Sequence, residues 1–259
     1  MPTITGPYSL SPDGANELIG RGIVLIDPLD PVTGLRTGAR HVGNVEKLEI
    51  DDKVEVKEKY ESMDPAGLLY ARAVTRQTVT IKLTGDEITL DNVAAAFNGT
   101  VDTITGAGAS VSGEQLTPAV VLGRYYNTAF RNVDGTTVAI AGLVAGTDFI
   151  VKDEAAGLIY IPPGSAATGA LDVAYTYAAY TYQKVNLANV ASLDAYVSFY
   201  GAPAKGRTFH HEYWHVQFTP TGKLEWISDN FATFELEGMV LADLLNHPTE
   251  PIGRVIQVA

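Results

Sequence analysis

The stretch Glu46-Lys47-Leu48-Glu49-Ile50-Asp51-Asp52-Lys53-Val54-Glu55-Val56-Lys57-Glu58-Lys59-Tyr60 decides the fold class. Leu48, Ile50, Val54 and Val56 share one parity, and Glu49, Asp51, Lys53, Glu55 and Lys57 the other. Period two is the signature of a strand, because successive side chains point to opposite faces. The expectation is one buried face and one charged, wet face. A second run, Val74 to Leu83, answers it: Val79, Ile81 and Leu83 alternate with Thr78, Thr80 and Lys82. Glu58–Ala73, with Pro65 and Gly67, reads as a long connecting loop. Its apolar Met63, Leu68, Leu69 and Tyr70 then belong either to a docking surface or to a fold-back on the same domain.

Outward from this pair, most segments also read as strands. Upstream, Gly22–Asp27 is a short apolar run broken by Pro28 and Pro31. Downstream, Thr89 or Asp91 can cap a short helix through Val93-Ala94-Ala95-Ala96-Phe97, with Gly99 at the position after its C-terminus. Thr100–Gly113, rich in Gly, Ala, Ser and Thr, reads as a linker. Short strands then follow at close spacing: Val120–Tyr126, Val138–Ala141, Phe149–Lys152, Leu158–Ile161 and Leu171–Tyr177. Turn signals divide them, which indicates a compact antiparallel module. Longer strands return at Ala195–Tyr200, Phe209–Phe218, Lys223–Ile227 and Ala232–Leu241. The reading is mainly β with one short helix. Residues 1–100 with 183–259 form one domain, and 101–182 form an inserted small β module.

Composition excludes several classes. The 259 residues hold 18 Lys+Arg against 30 Asp+Glu, a formal charge of -12, with no cysteine. A protein that grips nucleic-acid phosphate needs a basic stripe. Without cysteine there are no disulfides, thiol nucleophiles or Cys-based zinc sites. No apolar run approaches the roughly 20 residues of a membrane-spanning helix, and the N-terminal residues do not read as a signal peptide.

His211-Glu212-Tyr213-Trp214-His215 matches H-E-x-x-H, the zinc-protease pattern. That chemistry needs a helix, where i and i+4 lie about 6 Å apart on one face. The aromatic flanks Phe209 and Phe218 argue for a strand. There the two histidines share a face but stand roughly 13 Å apart, too far for one ion. Asn98-Gly99-Thr100 is a sequon that reads as chance, and Asp51-Asp52 and Glu235-x-Glu237 read as wet-face charges. No P-loop, G-x-G-x-x-G or G-x-S-x-G occurs. The expectation is no enzyme, with no catalytic residue, metal or cofactor.

Gly43-Asn44-Val45-Glu46-Lys47-Leu48-Glu49-Ile50, the loop Glu58-Lys59-Tyr60-Glu61-Ser62, and Leu83-Thr84-Gly85-Asp86-Glu87-Ile88-Thr89-Leu90-Asp91-Asn92-Val93-Ala94 together resemble the major tail (tail tube) proteins of long-tailed, siphophage-type bacteriophages. The stretch 229–243 resembles that family's last strand. The resemblance implies a tail-tube-type β-sandwich or half-barrel with one short helix and a long β-hairpin loop. It implies hexameric rings stacked into a virion tail tube, made in the host bacterial cytoplasm, through which DNA passes. Its implied partners are copies of itself, a tape measure protein, a tail terminator and distal tail proteins; DNA is met only in transit, and no membrane is involved. On this reading Glu49, Asp51, Lys53 and Glu55 face the lumen, and Tyr60, Met63, Pro65, Leu68, Leu69 and Tyr70 make inter-ring contacts. The tails Pro2–Asn16 and Asn246–Ala259 are arms that order on assembly, and the insert lies on the outside. The competing reading is a β-sandwich host-surface or glycan-binding virion module, motivated by Tyr125, Tyr126, Tyr175, Tyr177, Tyr180 and Tyr182.

Overall fold

The computed structural model describes residues 16–63 and 65–258. In chain order the elements are β1 (Gly22–Pro28), β2 (Arg40–His41), β3 (Val45–Tyr60), β4 (Leu69–Gly85), α1 (Leu90–Ala96), β5 (Thr100–Gly106), β6 (Ala109–Thr117), β7 (Arg124–Asn127), β8 (Ala139–Ile140), β9 (Ile150–Asp153), β10 (Leu158–Ile161), β11 (Leu171–Tyr177), β12 (Tyr180–Asn186), β13 (Leu193–Gly201), β14 (Thr208–Thr219), β15 (Phe234–Val240) and β16 (Gly253–Val258). The fold is mainly β, and α1 is the one helix among the described residues. The chain divides into two compact units, one running to Val101 and resuming at Val185, the other Asp102–Lys184.

The first unit is built on an eight-stranded antiparallel sheet in the order β2-β1-β13-β14-β15-β4-β3, with β16 paired to β14. β14 is long enough to take two neighbours on one side: Thr208–Tyr213 pair with β16 and Val216–Thr219 with β15. One face buries Val24, Ile26, Ile81, Leu83, Val197, Val216, Phe218, Phe234 and Leu236, and Ala95 and Ala96 of α1 cover it. The helix is too short to hold itself, so this packing fixes it. Thr89 caps it, its hydroxyl accepting from the Asn92 N–H at 3.2 Å. At the other end the Gly99 N–H reaches Ala94 O at 2.7 Å and the Asn98 N–H reaches Ala95 O at 3.4 Å, a Schellman closure. The left-handed residue is Asn98 (φ 46°), not Gly99 as the sequence reading had it. Gly99 is required for another reason: a Cβ there would lie 2.4 Å from Asn186 O.

In the second unit two three-stranded sheets, β7-β10-β9 and β6-β11-β8, share a core of Ile140, Phe149, Ile159, Ile161, Leu171, Val173 and Tyr175. The stretch 100–113, expected to be a linker, instead forms β5 and the start of β6. Its partners β12 and β11 supply the ladder bonds, and pairing overrides the weak intrinsic preference of Gly and Ala for strand.

Two further expectations are corrected. Lys223–Ile227 is not a strand but lies in a loop joining β14 to β15. The C-terminal stretch is not a free arm: β16 pairs with β14 from Val258↔Thr208 to Gly253↔Tyr213. The arm Pro2–Asn16 lies, but for Asn16, outside the described residues.

Candidate functional site: an exposed hairpin arm

β3 and β4 pair from Val45↔Gly85 out to Tyr60↔Leu69. The inner neighbour of β4, β15, stops at Val240↔Val79. Beyond Val79 the hairpin runs on as two strands with no third, over about 30 Å at the usual rise per residue. The sequence reading placed a loop over Glu58–Ala73, but the strands continue through most of it. Tyr60, Leu69 and Tyr70 are strand residues, and Met63, Pro65 and Leu68 form the exposed tip.

The period-two pattern holds, but its expected buried face does not. Leu48 and Ile81 lie on the core side. Farther out the same face continues as Ile50, Val54 and Val74, all exposed; Val54 is 47% and Val74 66% accessible. A bulge at Glu55/Val56 keeps Val56 opposite Val74 on this face. Sequence alternation specifies which face is apolar, not whether one chain supplies enough sheet to cover it. Asp52 also lies on this face, accepting from Gln77 Nε2 at 2.8 Å. Asp51 lies on the other, so the two adjacent carboxylates do not form a pair.

The wet face carries Glu49, Asp51, Lys53 and Glu55, each exposed. Their charges are matched locally: Lys47 to Glu49 (2.8 Å), Lys53 to Asp51 (3.0 Å), Arg76 to Glu55 (3.5 Å) and Lys82 to Glu237 (3.2 Å). The face is therefore charge-balanced rather than acidic. At the tip end Tyr60 donates to Glu58 Oε2 at 2.8 Å, which raises the tyrosine pKa.

H-E-x-x-H lies on strand β14. A bulge opposite Ala195/Val197 puts its histidines on opposite faces, which corrects the expectation that they share one. His211 packs edge-on to Phe199, with its pKa lowered by burial and by His210. His215 Nε2 meets Asp194 Oδ1 at 3.0 Å, and Glu212 accepts from Arg254 Nε at 2.5 Å. No group of three or more His, Asp or Glu among the described residues is arranged to hold a metal ion. No described helix is long and apolar enough to cross a membrane. The sequon residue Asn98 is buried, with its Nδ2 donating to Ala191 O at 3.3 Å.

Two features escaped the sequence reading. One is a cleft of about 670 Å³ with Ile26, Leu29, Ala94, Val101, Val190 and Leu193 among its lining residues. The other is the loop 220–233, where Trp226, Ile227 and Phe231 stand exposed. Their only sequence signal is an apolar triplet with neither strand nor helix spacing.

Residues 17–258 match the family described as "Protein of unknown function UCP028589". The chain belongs to that family. A comparison with curated proteins finds no match. The family description carries no activity, so function has to be argued from the arm, the cleft and the loop.

Proposed function

We propose that the chain is a structural, non-enzymatic subunit that assembles with copies of itself, in the manner of the phage tail tube proteins its sequence resembles: rings of subunits, hexameric in that reading, stacked into a conduit for DNA. The observation that carries the reading is the hairpin arm. A two-stranded ribbon is marginal in water unless a third strand or a packed face supports it. This one presents an apolar stripe along one face and an apolar tip. Both features fit an element completed by another molecule.

The edges of the sheet support the same reading. β3 is an edge strand sixteen residues long. Long open edges invite pairing with another chain, and a closed ring removes them. The charge-balanced wet face also suits a lumen. Lys47, Lys53, Arg76 and Lys82 are each met by a carboxylate, so they form no free cationic stripe for phosphate. Glu49, Asp51, Lys53 and Glu55 are accordingly proposed to line the lumen. Tyr60, Met63, Pro65, Leu68, Leu69 and Tyr70 are proposed to make contacts between rings.

The test is sedimentation and negative-stain microscopy of concentrated protein. Rings or tubes support the proposal, and a monomer at every concentration and salt condition refutes it.

A second reading, a glycan-binding virion module, has one observation in its favour. Tyr125 is exposed, its ring 4.6 Å from that of Tyr160, with Lys152 Nζ 5.7 Å from the Tyr160 ring centroid. Binding on a glycan array that is lost in Tyr125→Ala would establish it.

A further inference from the structure

We propose that the loop 220–233 of one copy inserts Trp226, Ile227 and Phe231 into the cleft beside α1 of a second copy. The inference rests on the reading that the chain self-assembles, and it names a contact that reading does not contain.

The loop holds these side chains outward on a defined frame. Its base is tied by the Gly222 N–H to Ala96 O at 3.4 Å and by Thr221 Oγ1 to Glu235 O at 2.5 Å. Leu224 packs against the core. Between the apolar residues, the Asn230 N–H bonds Ser228 Oγ at 3.0 Å, and Ser228 Oγ donates to Asn230 O at 2.8 Å. Ile227 is 98% and Phe231 97% accessible, so neither is satisfied within its own chain.

The cleft has the complementary character. Its walls are largely apolar, and none of the loop's residues lines it. Its wall also contains Asn98, 4% accessible, whose Oδ1 is buried with no hydrogen-bond partner among the described residues. An unpaired buried acceptor is costly, and it calls for a donor from an incoming group. An indole N–H is a donor only. Trp226 therefore brings what this wall lacks, along with the apolar bulk that fills the space.

Area favours a second copy over a small ligand. The two aromatic side chains alone present roughly 150–250 Å² each. With Ile227 the loop covers on the order of 500 Å², and the cleft walls about as much again. The total approaches the roughly 1,000 Å² that marks a specific interface. Loop and cleft are different surfaces, so the contact is head to tail: each copy keeps one free loop and one free cleft until a ring closes.

The chain has no cysteine, so introduced thiols report unambiguously. Full-length Phe231→Cys and Val190→Cys proteins are mixed under assembling conditions and oxidised, and the linked peptides are read by mass spectrometry. The expected product is a disulfide between position 231 of one chain and position 190 of another, with at least tenfold less link when Val144→Cys replaces Phe231→Cys. Copies that assemble by sedimentation but give no link above that control overturn this contact and leave the assembly reading standing. Absence of any assembly overturns both. In a parallel mixture, Tyr8→Cys in place of Phe231→Cys tests the amino-terminal segment. A link from position 8 to position 190 that exceeds the link from position 231 assigns the cleft to that segment and overturns the proposal.

Discussion

Replacing Val54 and Val74 together by serine removes the apolar stripe of the arm where the chain leaves it most exposed. Burying a valine fully is worth roughly 1.5–3 kcal/mol. With 47% and 66% of the two side chains still accessible, an assembly that covers them gains roughly 2 kcal/mol per arm from these positions. Losing it raises the critical concentration for assembly roughly thirtyfold. The same positions contribute little to the folded chain, and exposed substitutions of this kind stay within about 0.5 kcal/mol. The assay is a concentration series by sedimentation velocity, paired with thermal unfolding. Serine variants that unfold like the parent but assemble only at much higher concentration are the expected result. An unchanged critical concentration refutes the claim that the stripe is covered on assembly. A collapse of thermal stability refutes the claim that the arm is dispensable to the single chain.

Other outcomes follow from the remaining packing. Arg36→Met leaves the buried carboxylate of Asp27 with only the Gly38 N–H and costs about 2 kcal/mol in chemical denaturation. Thr89→Ala removes the hydroxyl that caps α1 and costs about 1 kcal/mol by the same assay. Ile159→Ala, in the core of the second unit, costs about 2–5 kcal/mol and moves that unit's calorimetric transition without the first unit's. His211 has a folded-state pKa below its ordinary 6.5, so the unfolded chain binds more protons in the window beneath that value. Its contribution is therefore present above pH 6.5 and is lost as the pH falls through the folded pKa; His211→Gln flattens that slope in urea titrations across mildly acid pH.

The strands of the arm were legible because alternation is a local property. Leu48, Ile50, Val54 and Val56 announce a common face whatever covers it. Coverage is a tertiary property, and Ile50 and Val54 show the difference: both lie outside the core that their pattern implies. The helix was legible for the same reason, with Thr89 and the alanines read correctly. The left-handed cap at Asn98 was not, because glycine's permissiveness drew attention to Gly99, whose role is close approach to Asn186. The stretch 100–113 misled because small residues are neutral until a partner strand arrives. The relation between His211 and His215 depended on a bulge against β13 that nothing in H-E-x-x-H records. The loop 220–233 and the cleft needed the fold itself. Leu193, Val101 and Leu29 come from distant segments, and only the sheet order brings them together.

Negative-stain electron microscopy of the purified full-length chain across rising concentration tests the central claim most directly. Closed rings that stack into tubes are the predicted result. Isolated single-chain particles at every concentration, with a monomer's sedimentation, would contradict it.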